Sequence, residues 1–170
     1  MASQSVEAHR EAAPEQIFCA VLTVSDTRTA DTDQSGGIIR ETLGWRGHGV
    51  SAYEIVPDEP ERIRMLLQEW INRADIQAIL MNGGTGIAGR DTTYDVVTSL
   101  LDKRLNGFGE LFRMLSFAEI GAAAMLSRAV AGVSQSTVIF AMPGSTNAVR
   151  LAMEKLIGPE IAHVVYEVRK

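Results

Sequence analysis

Cysteine is scarce in this chain, and long apolar runs are missing. The one cysteine, Cys19, lies within the apolar run at residues 17–22, which predicts a buried strand residue and argues against a reactive thiol. No apolar run approaches the roughly 18 residues that a membrane-spanning helix needs, and the N-terminus lacks the apolar core of a signal peptide. We therefore expect a cytoplasmic protein with no membrane partner.

Positive charge is also in short supply. The chain has 16 Lys and Arg residues against 21 Asp and Glu residues, so its net charge is −5, and the sequence shows no basic stripe. This balance argues against a nucleic-acid partner held by phosphate contacts. A length of 170 residues with 46% hydrophobic content is ordinary for one globular domain. Residues 1–15 are small and polar and predict a disordered N-terminal tail, which leaves residues 16–170 as a single domain.

Short apolar runs alternate with amphipathic segments along the rest of the chain. This alternation predicts a three-layer α/β/α sandwich with a mainly parallel central sheet. Thr92 and Asp95 have the spacing of a helix capping box, residues 107–109 predict a break in the chain, and Ser145 is placed to cap the final helix. The predicted strands cover residues 17–23, 50–56, 76–81, 128–133 and 137–142, with helices between and after them.

The segment that follows the third predicted strand is rich in glycine. Four glycines lie within residues 83–89, and Arg90 and Asp91 come next. Glycines let backbone N–H groups approach an anion closely, and the following helix N-terminus favours negative charge. An acid beside a phosphate is electrostatically consistent only if a divalent cation or a proton lies between them. The segment therefore predicts a phosphate-handling enzyme loop.

Two familiar phosphate motifs do not fit this loop. Residues 84–89 match G-x-G-x-x-G, but the dinucleotide fingerprint belongs after the first strand and needs an acid at the end of the next strand, about 20 residues on. The acid at that distance, Glu110, begins a helical pattern instead. A Walker loop requires Lys-Ser/Thr where Arg90 and Asp91 stand. An oxidoreductase with a nucleotide cofactor rests on the glycine match alone, and tight NAD binding is the observation that would favour it.

Polar residues follow four of the predicted strands. They include Asp26, Asp58, Asp91 and the turn at residues 143–145. Taken singly, each acid can be explained as a turn former or a helix cap. In open α/β sheets, however, ligands bind beyond the carboxyl ends of the strands, where these residues converge. Oxygen ligands on loops suit Mg²⁺, which keeps several waters and shares phosphates.

Several short motifs occur in an order that is highly specific. Between Phe18 and Lys155 the chain resembles the MoaB/Mog family of molybdenum cofactor (molybdopterin) biosynthesis proteins, and residues 107–121 and 128–133 resemble its MoaB branch in particular. The motifs are Val24-Ser25-Asp26, Asp33-x-Ser35-Gly36, Pro57-Asp58-Glu59, Gly83-Gly84-Thr85-Gly86 with Arg90-Asp91, Gly107-Phe108-Gly109-Glu110 with Arg113-x-x-Ser116, Leu126-Ser127-Arg128, and Pro143-Gly144-Ser145.

This resemblance implies binding of molybdopterin, a pterin that carries a dithiolene and a terminal phosphate. Active members adenylylate it with Mg-ATP and release pyrophosphate ahead of metal insertion. Asp58 and Asp91 match the family's essential acids and are assigned, on that resemblance, to Mg²⁺ and to catalytic positioning of the nucleotide phosphates. A non-catalytic molybdopterin-binding protein of the same pathway is the alternative. The positions implied to line the pterin and nucleotide site are Asp26, Gly83, Gly84, Thr85, Gly86, Glu110, Ser116, Pro143, Gly144 and Ser145.

The predicted helix after residue 109 carries apolar side chains on more than one face. Such a helix is either wholly internal or packs against a partner. The resemblance implies trimers, and pairs of trimers in the MoaB branch. We therefore expect a homo-hexamer with this helix at an interface, and a trimer as the smaller alternative. The apolar residues are Phe108, Leu111, Phe112, Met114, Leu115 and Phe117.

Overall fold

The computed structural model describes residues 4–170, with side chains from residue 7 onward. Its helices are α1 (Gln4–Ala12), α2 (Gln34–Trp45), α3 (Pro60–Ile71), α4 (Thr93–Leu100), α5 (Asn106–Ile120), α6 (Thr146–Ala152) and α7 (Gly158–Arg169). A 3₁₀ segment covers Gly121–Leu126, and a π-helical turn covers Met153–Ile157. The strands are β1 (Phe18–Val24), β2 (Gly49–Val56), β3 (Ala78–Asn82), β4 (Lys103–Arg104), β5 (Val130–Ser134) and β6 (Thr137–Met142).

The strands form one six-stranded sheet in the order β2-β1-β3-β6-β5-β4. The first four are parallel, and β5 runs antiparallel to both of its neighbours. Cys19 and Val21 of β1 pack toward α2, α5, α6 and α7, whereas Ala20 and Leu22 pack toward α3 and α4. Because both faces are covered, β1 is an apolar run without polar alternation. The predicted three-layer, mainly parallel architecture is confirmed.

Chain direction across the sheet reverses between β1 and β3. From β1 the chain moves to β2 on one side, and then crosses to β3 on the other side of β1. Such a reversal opens a crevice beyond the carboxyl ends of the two strands. The four parallel strands also end level with one another, because Val24 pairs with Val56, Thr23 with Asn82, and Asn82 with Met142. The loops that follow them therefore meet at one edge.

The N-terminal segment corrects the prediction of a disordered tail over its described part. Residues 4–12 form α1, which packs against α7. His9 Nδ1 lies 2.9 Å from Glu167 Oε1, and an ion pair joins Arg10 to Glu160. These partners lie far away in sequence, so the polar composition of the segment gave no sign of them. Residues 1–3 lie outside the described residues.

The predicted chain break at residues 107–109 is also wrong, because these residues form the first turn of α5. A glycine inside a helix costs only about 1 kcal/mol relative to alanine, and packing offsets that cost here. Phe108 lies edge-on to Phe140 of β6 with 5.3 Å between ring centroids. A Cβ on Gly109 would lie 2.6 Å from the Ala129 carbonyl oxygen, so glycine permits the close approach of α5 to the sheet.

Three further predictions concern single residues and the membrane. Cys19 is buried in β1 as predicted, and burial raises the pKa of its thiol to about 12. Ser145 caps α6 as predicted, because its side chain accepts a hydrogen bond from the Ala148 N–H at 3.3 Å. Within residues 4–170, no helix has the length and apolar character needed to cross a membrane.

Candidate functional site

The glycine loop (residues 83–92) follows β3 and runs too close to its neighbours for side chains at its first two positions. Gly83 and Gly84 have φ of +96° and +64°, values that L residues rarely adopt. A Cβ on Gly83 would lie 2.2 Å from the Val24 carbonyl oxygen. A Cβ on Gly84 would lie 2.2 Å from Thr93 Oγ1 and 2.6 Å from Asp58 Oδ2. Both positions therefore require glycine.

The turn after β6 packs directly on this loop. A Cβ on Gly144 would lie 3.1 Å from the Cα of Gly83, which is tighter than ordinary van der Waals contact. Ser35, at the start of α2, donates a hydrogen bond from its hydroxyl to the Gly144 carbonyl oxygen at 2.8 Å. The two loops that the sequence predicted to meet are thus held in contact, and α2 fixes one of them.

Asp58 lies against the start of α4. Its Oδ1 accepts hydrogen bonds from both the hydroxyl and the backbone N–H of Thr92, while its Oδ2 faces Gly84. The predicted capping box is therefore wrong in its contacts. Thr92 occupies the N-cap position of α4 but makes no side-chain cap, because its hydroxyl bonds to Asp58, and Asp95 pairs instead with Arg128.

Asp91 folds back on the glycine loop and is not the cap of α4. Its Oδ2 accepts a hydrogen bond from the Ala88 N–H at 2.8 Å, and a Cβ on Gly86 would lie 2.6 Å from the same oxygen. Within the described side chains, nothing donates a hydrogen bond to Asp91 Oδ1 or to Asp58 Oδ2. Each of these carboxylates therefore keeps one oxygen free beside the loop.

Arg128 holds the glycine loop in place, a role that the sequence motif alone did not indicate. Its Nε donates to the Gly86 carbonyl oxygen at 2.7 Å, and its Nη2 donates to the Asp91 carbonyl oxygen at 2.6 Å. Its Nη1 lies 3.1 Å from the Asp95 carboxylate, and the guanidinium stacks 4.8 Å from the centre of the Tyr94 ring. One planar side chain thus ties both ends of residues 86–91 to α4.

A buried polar network underlies the strand ends. Thr23 donates its hydroxyl to Asp33 Oδ2 at 2.6 Å and accepts a hydrogen bond from Asn82 Nδ2 at 2.8 Å. Tyr53 donates to the same Asp33 oxygen at 2.7 Å. Burial and this hydrogen bond raise the pKa of Tyr53 to about 12. Because Oδ1 of Asp33 also caps α2 through the Gly36 N–H, the network joins three strands to a helix.

Two threonine hydroxyls at the loop break this pattern of complete pairing. Thr85 and Thr93 are 2% and 0% exposed, and their Oγ1 atoms have no hydrogen-bond partner in the described part of the chain. Leaving a buried polar group unpaired costs about 1–3 kcal/mol, so native structures have few of them. Thr93 Oγ1 and Asp58 Oδ2 lie together beside Gly84, which makes this place a candidate site for a polar ligand.

A cleft of about 230 Å³ adjoins the loop. It brings together five of the residues expected to line the pterin and nucleotide site, namely Thr85, Gly86, Ser116, Pro143 and Ser145. Most of the other lining residues are apolar and come from α5, the 3₁₀ segment and α6. A mainly apolar cleft with a few hydroxyls suits a flat ring that carries polar groups at its rim.

Of the remaining expected site residues, Asp26 lies beside the glycine loop and Glu110 lies elsewhere. Asp26 forms an ion pair with Arg90 at 2.7 Å and accepts a hydrogen bond from the Asp58 N–H at 3.3 Å, so its carboxylate is already engaged beside the loop. Glu110 lines a different pocket, of about 360 Å³, together with Arg104, Arg113 and Arg128. The structure of one chain therefore does not bring Glu110 to the glycine loop.

The donor set at the loop fits Mg²⁺. This ion is usually held by one or two carboxylates, with waters and substrate phosphates completing its octahedron. Asp58 and Asp91 supply two carboxylates, each with a free oxygen. Within the described side chains, neither acid belongs to a group of three or more potential metal ligands, so such an ion would depend on the phosphates of a ligand.

Comparison with known proteins agrees with this geometry. A family model described as "Probable molybdopterin binding domain" matches residues 20–163. Molybdenum cofactor biosynthesis protein B of Halalkalibacterium halodurans is 58% identical over 167 residues, which cover 98% of each chain.

Solved structures show the same relationship. A crystal structure of a molybdenum cofactor biosynthesis protein B superposes with a TM-score of 0.89 at 50% identity, over 92% of this chain and 98% of that one. The tungsten cofactor synthesizing protein MoaB from Pyrococcus furiosus gives a TM-score of 0.83 at 37% identity, over 93% of this chain and all of that one. The chain therefore belongs to the MoaB/Mog family of molybdenum cofactor biosynthesis proteins, and to its MoaB branch, as its motifs predicted.

Proposed function

We propose that this protein binds molybdopterin and ATP at the glycine loop and adenylylates the molybdopterin, with pyrophosphate as the second product. The observation that carries the proposal is the arrangement at the start of α4. There, the carboxylates of Asp58 and Asp91 lie beside Gly84 and Gly86, and the hydroxyls of Thr85 and Thr93 are buried with no hydrogen-bond partner among the described residues. The names of the relatives, which are molybdenum cofactor biosynthesis proteins, support the same pathway.

The proposed reaction joins two polyanions. An oxygen of the molybdopterin terminal phosphate attacks the α-phosphorus of ATP, a new P–O bond forms there, and the bond to the β-phosphate oxygen breaks to release pyrophosphate. Chemistry of this kind depends mainly on positioning and charge neutralisation. The backbone N–H groups of residues 84–86 and the N-terminus of α4 offer positive dipoles to the phosphates. Arg128, through the contacts described above, keeps that backbone in place.

Asp58 and Asp91 would hold Mg²⁺, and the bound ion would supply charge neutralisation for the nucleotide phosphates. Thr92 orients Asp58 by donating two hydrogen bonds to Oδ1. The Ala88 N–H orients Asp91 in the same way through Oδ2. Each acid is therefore fixed through one oxygen and presents the other, which is the arrangement that a metal-positioning carboxylate requires.

The 230 Å³ cleft is the proposed site for the pterin ring. Ser116 is 7% exposed and lies on the wall that α5 contributes. Ser145 caps α6 and lines the opposite loop. With hydroxyls at its rim and apolar side chains between them, the cleft would orient a flat heterocycle so that its phosphate reaches the glycine loop.

The proposal is tested by pyrophosphate release. Purified protein is incubated with ATP and molybdopterin, with Mg²⁺ present or removed by chelation, and pyrophosphate is measured over time. We expect release that requires all three components. Binding of molybdopterin without pyrophosphate release would favour the alternative, a non-catalytic molybdopterin-binding protein of the same pathway. Tight binding of NAD would instead favour an oxidoreductase.

We further propose that the protein is a homo-hexamer, with a trimer as the smaller alternative. A wholly internal α5 is wrong, because the helix buries Phe108 and Phe112 but leaves Met114 and Phe117 60% and 62% exposed. An apolar surface of this extent is typical of a protein interface. A second copy of the chain is the partner that the family resemblance implies. The exposed apolar face continues through Leu111, Ile120, Met125 and Leu126.

A further inference from the structure

Two histidines and a glutamate converge between the two ends of the chain. His9 comes from α1, and His163 and Glu167 come from α7. One nitrogen of each histidine and one oxygen of the glutamate all lie within 4.8 Å of one another. Within the described side chains, these three residues form the one group of three or more potential metal ligands, and they lie outside the glycine-loop site.

The hydrogen bonds of His163 determine which of its nitrogens is available. Its Nδ1 lies 2.9 Å from Glu160 Oε2, and a carboxylate can only accept a hydrogen bond, so Nδ1 carries the proton. In the neutral ring, Nε2 then has a lone pair, and it lies 3.9 Å from Glu167 Oε1. A lone pair and a carboxylate oxygen that face each other repel unless a cation lies between them.

Glu167 Oε1 is the atom at which these contacts meet. It is buried from solvent and has no hydrogen-bond partner in the described part of the chain, although His9 Nδ1 lies 2.9 Å away. The other oxygen, Oε2, pairs with Lys170 Nζ at 2.7 Å. The lysine therefore fixes the carboxylate while leaving Oε1 directed at the two imidazoles.

We propose that His9, His163 and Glu167 bind one Zn²⁺ ion, which fastens α1 onto α7. Two imidazoles and a carboxylate form a common zinc ligand set, with water in the fourth position. Zinc–ligand distances of about 2.0–2.1 Å place the ligands of a tetrahedral ion roughly 3.3–3.5 Å apart, and the observed separations of 2.9 and 3.9 Å bracket that range.

The surroundings of His163 match those of a zinc ligand. A metal-binding histidine almost always donates its other ring N–H to a carboxylate or carbonyl, which fixes its orientation. Glu160 is the carboxylate that accepts this hydrogen bond from His163, and its other oxygen pairs with Arg10 of α1. Mg²⁺ and Ca²⁺ prefer oxygen ligands, so the two nitrogens select a transition metal over the magnesium proposed for the glycine loop.

Calorimetric titration of the full-length protein with Zn²⁺ tests this site. The protein is stripped with a chelator, desalted, and titrated in excess Mg²⁺ so that oxygen-only sites are occupied. We expect one Zn²⁺ per chain and a melting temperature that rises with zinc, since a ligand that binds only the folded state stabilises it. Replacement by Co²⁺ should give the visible absorption of a tetrahedral ion. A chain that binds no Zn²⁺ in the micromolar range would overturn the proposal.

Substitutions distinguish the residues that bind zinc directly from the residue that orients them. His9→Gln and His163→Gln should each lower zinc affinity on the order of 100-fold or more, and Glu160→Gln should lower it about 10–100-fold. His48→Gln is the matched control, because His48 is the third histidine of the chain and lies outside the group. The zinc affinity of this variant should equal that of the wild-type protein. Circular dichroism confirms that each variant is folded. His9 is the ligand on the shorter and more exposed helix. If folded His9→Gln binds zinc with unchanged affinity, the group is an ion-pair network only.

Discussion

The glycine loop and helix α5 depart from ordinary protein packing in opposite ways. At the loop and the start of α4, the hydroxyls of Thr85 and Thr93 are buried and have no hydrogen-bond partner among the described residues. In α5, the apolar side chains of Met114 and Phe117 are exposed to solvent. Most native proteins pair their buried polar groups and keep large apolar patches covered. Each departure indicates a surface that another molecule completes: a polar ligand at the loop and an apolar protein surface at the helix.

The two regions also differ in how firmly they are held. Arg128 ties the loop to α4, the Asp33 network fixes the strand ends below it, and Gly83 packs on Gly144. The exposed side of α5 makes no comparable contacts with the described residues of the chain. A site that positions phosphates must be organised before its ligand arrives, whereas an interface needs only a complementary surface. The difference supports the proposal that chemistry belongs to the loop and assembly to the helix.

The largest expected effect comes from filling the space at Gly84. Gly84→Val places a Cβ against Thr93 and Asp58 at a position with φ of +64°. We expect loss of molybdopterin and nucleotide binding, measured by calorimetry, in a protein that still folds and assembles. Gly89→Val is the matched control in the same loop, because a Cβ at Gly89 meets nothing within 4 Å. Normal binding by folded Gly84→Val would mean that the loop is purely structural.

The second prediction concerns the apolar face of α5. Phe117→Asp introduces a charge where the proposed interface is apolar, and burying an unpaired charge is strongly unfavourable. We expect light scattering to show the oligomer dissociate toward the 18.5 kDa chain. Trp45→Asp changes an even more exposed aromatic residue, 85% exposed on α2, and should leave the oligomer intact. A wild-type protein that is monomeric at micromolar concentration would contradict the proposed assembly.

The smallest expected effect is a gain in the stability of the fold when Thr93 at the site is replaced by valine. Thr93→Val keeps the side-chain shape and removes a buried, unpaired hydroxyl, which should stabilise the fold by about 1 kcal/mol, or roughly 2–4 °C in melting temperature for a chain of this size. Ligand affinity should fall. Thr23→Val is the contrasting variant, because it leaves Asp33 and Asn82 without a partner and should lower the melting temperature. If both variants lose stability equally, Thr93 has a partner within the protein.

Much of the fold could be predicted from the sequence because the parallel strands are covered on both faces. Their cores are mostly apolar, as in β1 and β3, and glycine or proline directly follows β2, β3 and β6. The convergence of Asp58, Gly84 and Gly144 followed from the rule that parallel strands end at one edge of a sheet. These inferences rest on local pattern, which a sequence displays directly.

The remaining features depend on contacts between residues far apart in the chain. Helix α1 is held by α7, and Arg128 orders a loop 37 to 42 residues before it. Thr92 has the local pattern of a capping residue, but Asp58, 34 residues away, takes its hydroxyl. Such partners leave no periodic signal. The expectation for Glu110 came from family resemblance, and in this chain Glu110 lies among arginines of a separate pocket.

The central claim is that Asp58 and Asp91 serve catalysis at the glycine loop. Asp58→Asn and Asp91→Asn keep the size of each side chain and one oxygen that can accept a hydrogen bond. They remove the negative charge that binds a metal ion. Asp75→Asn, at an exposed acid before β3, is the control. The decisive measurement is the rate of Mg²⁺-dependent pyrophosphate release set against melting temperature. The account predicts a rate lowered on the order of 10²-fold or more in both site variants, with melting unchanged. Wild-type rates in both variants would contradict it.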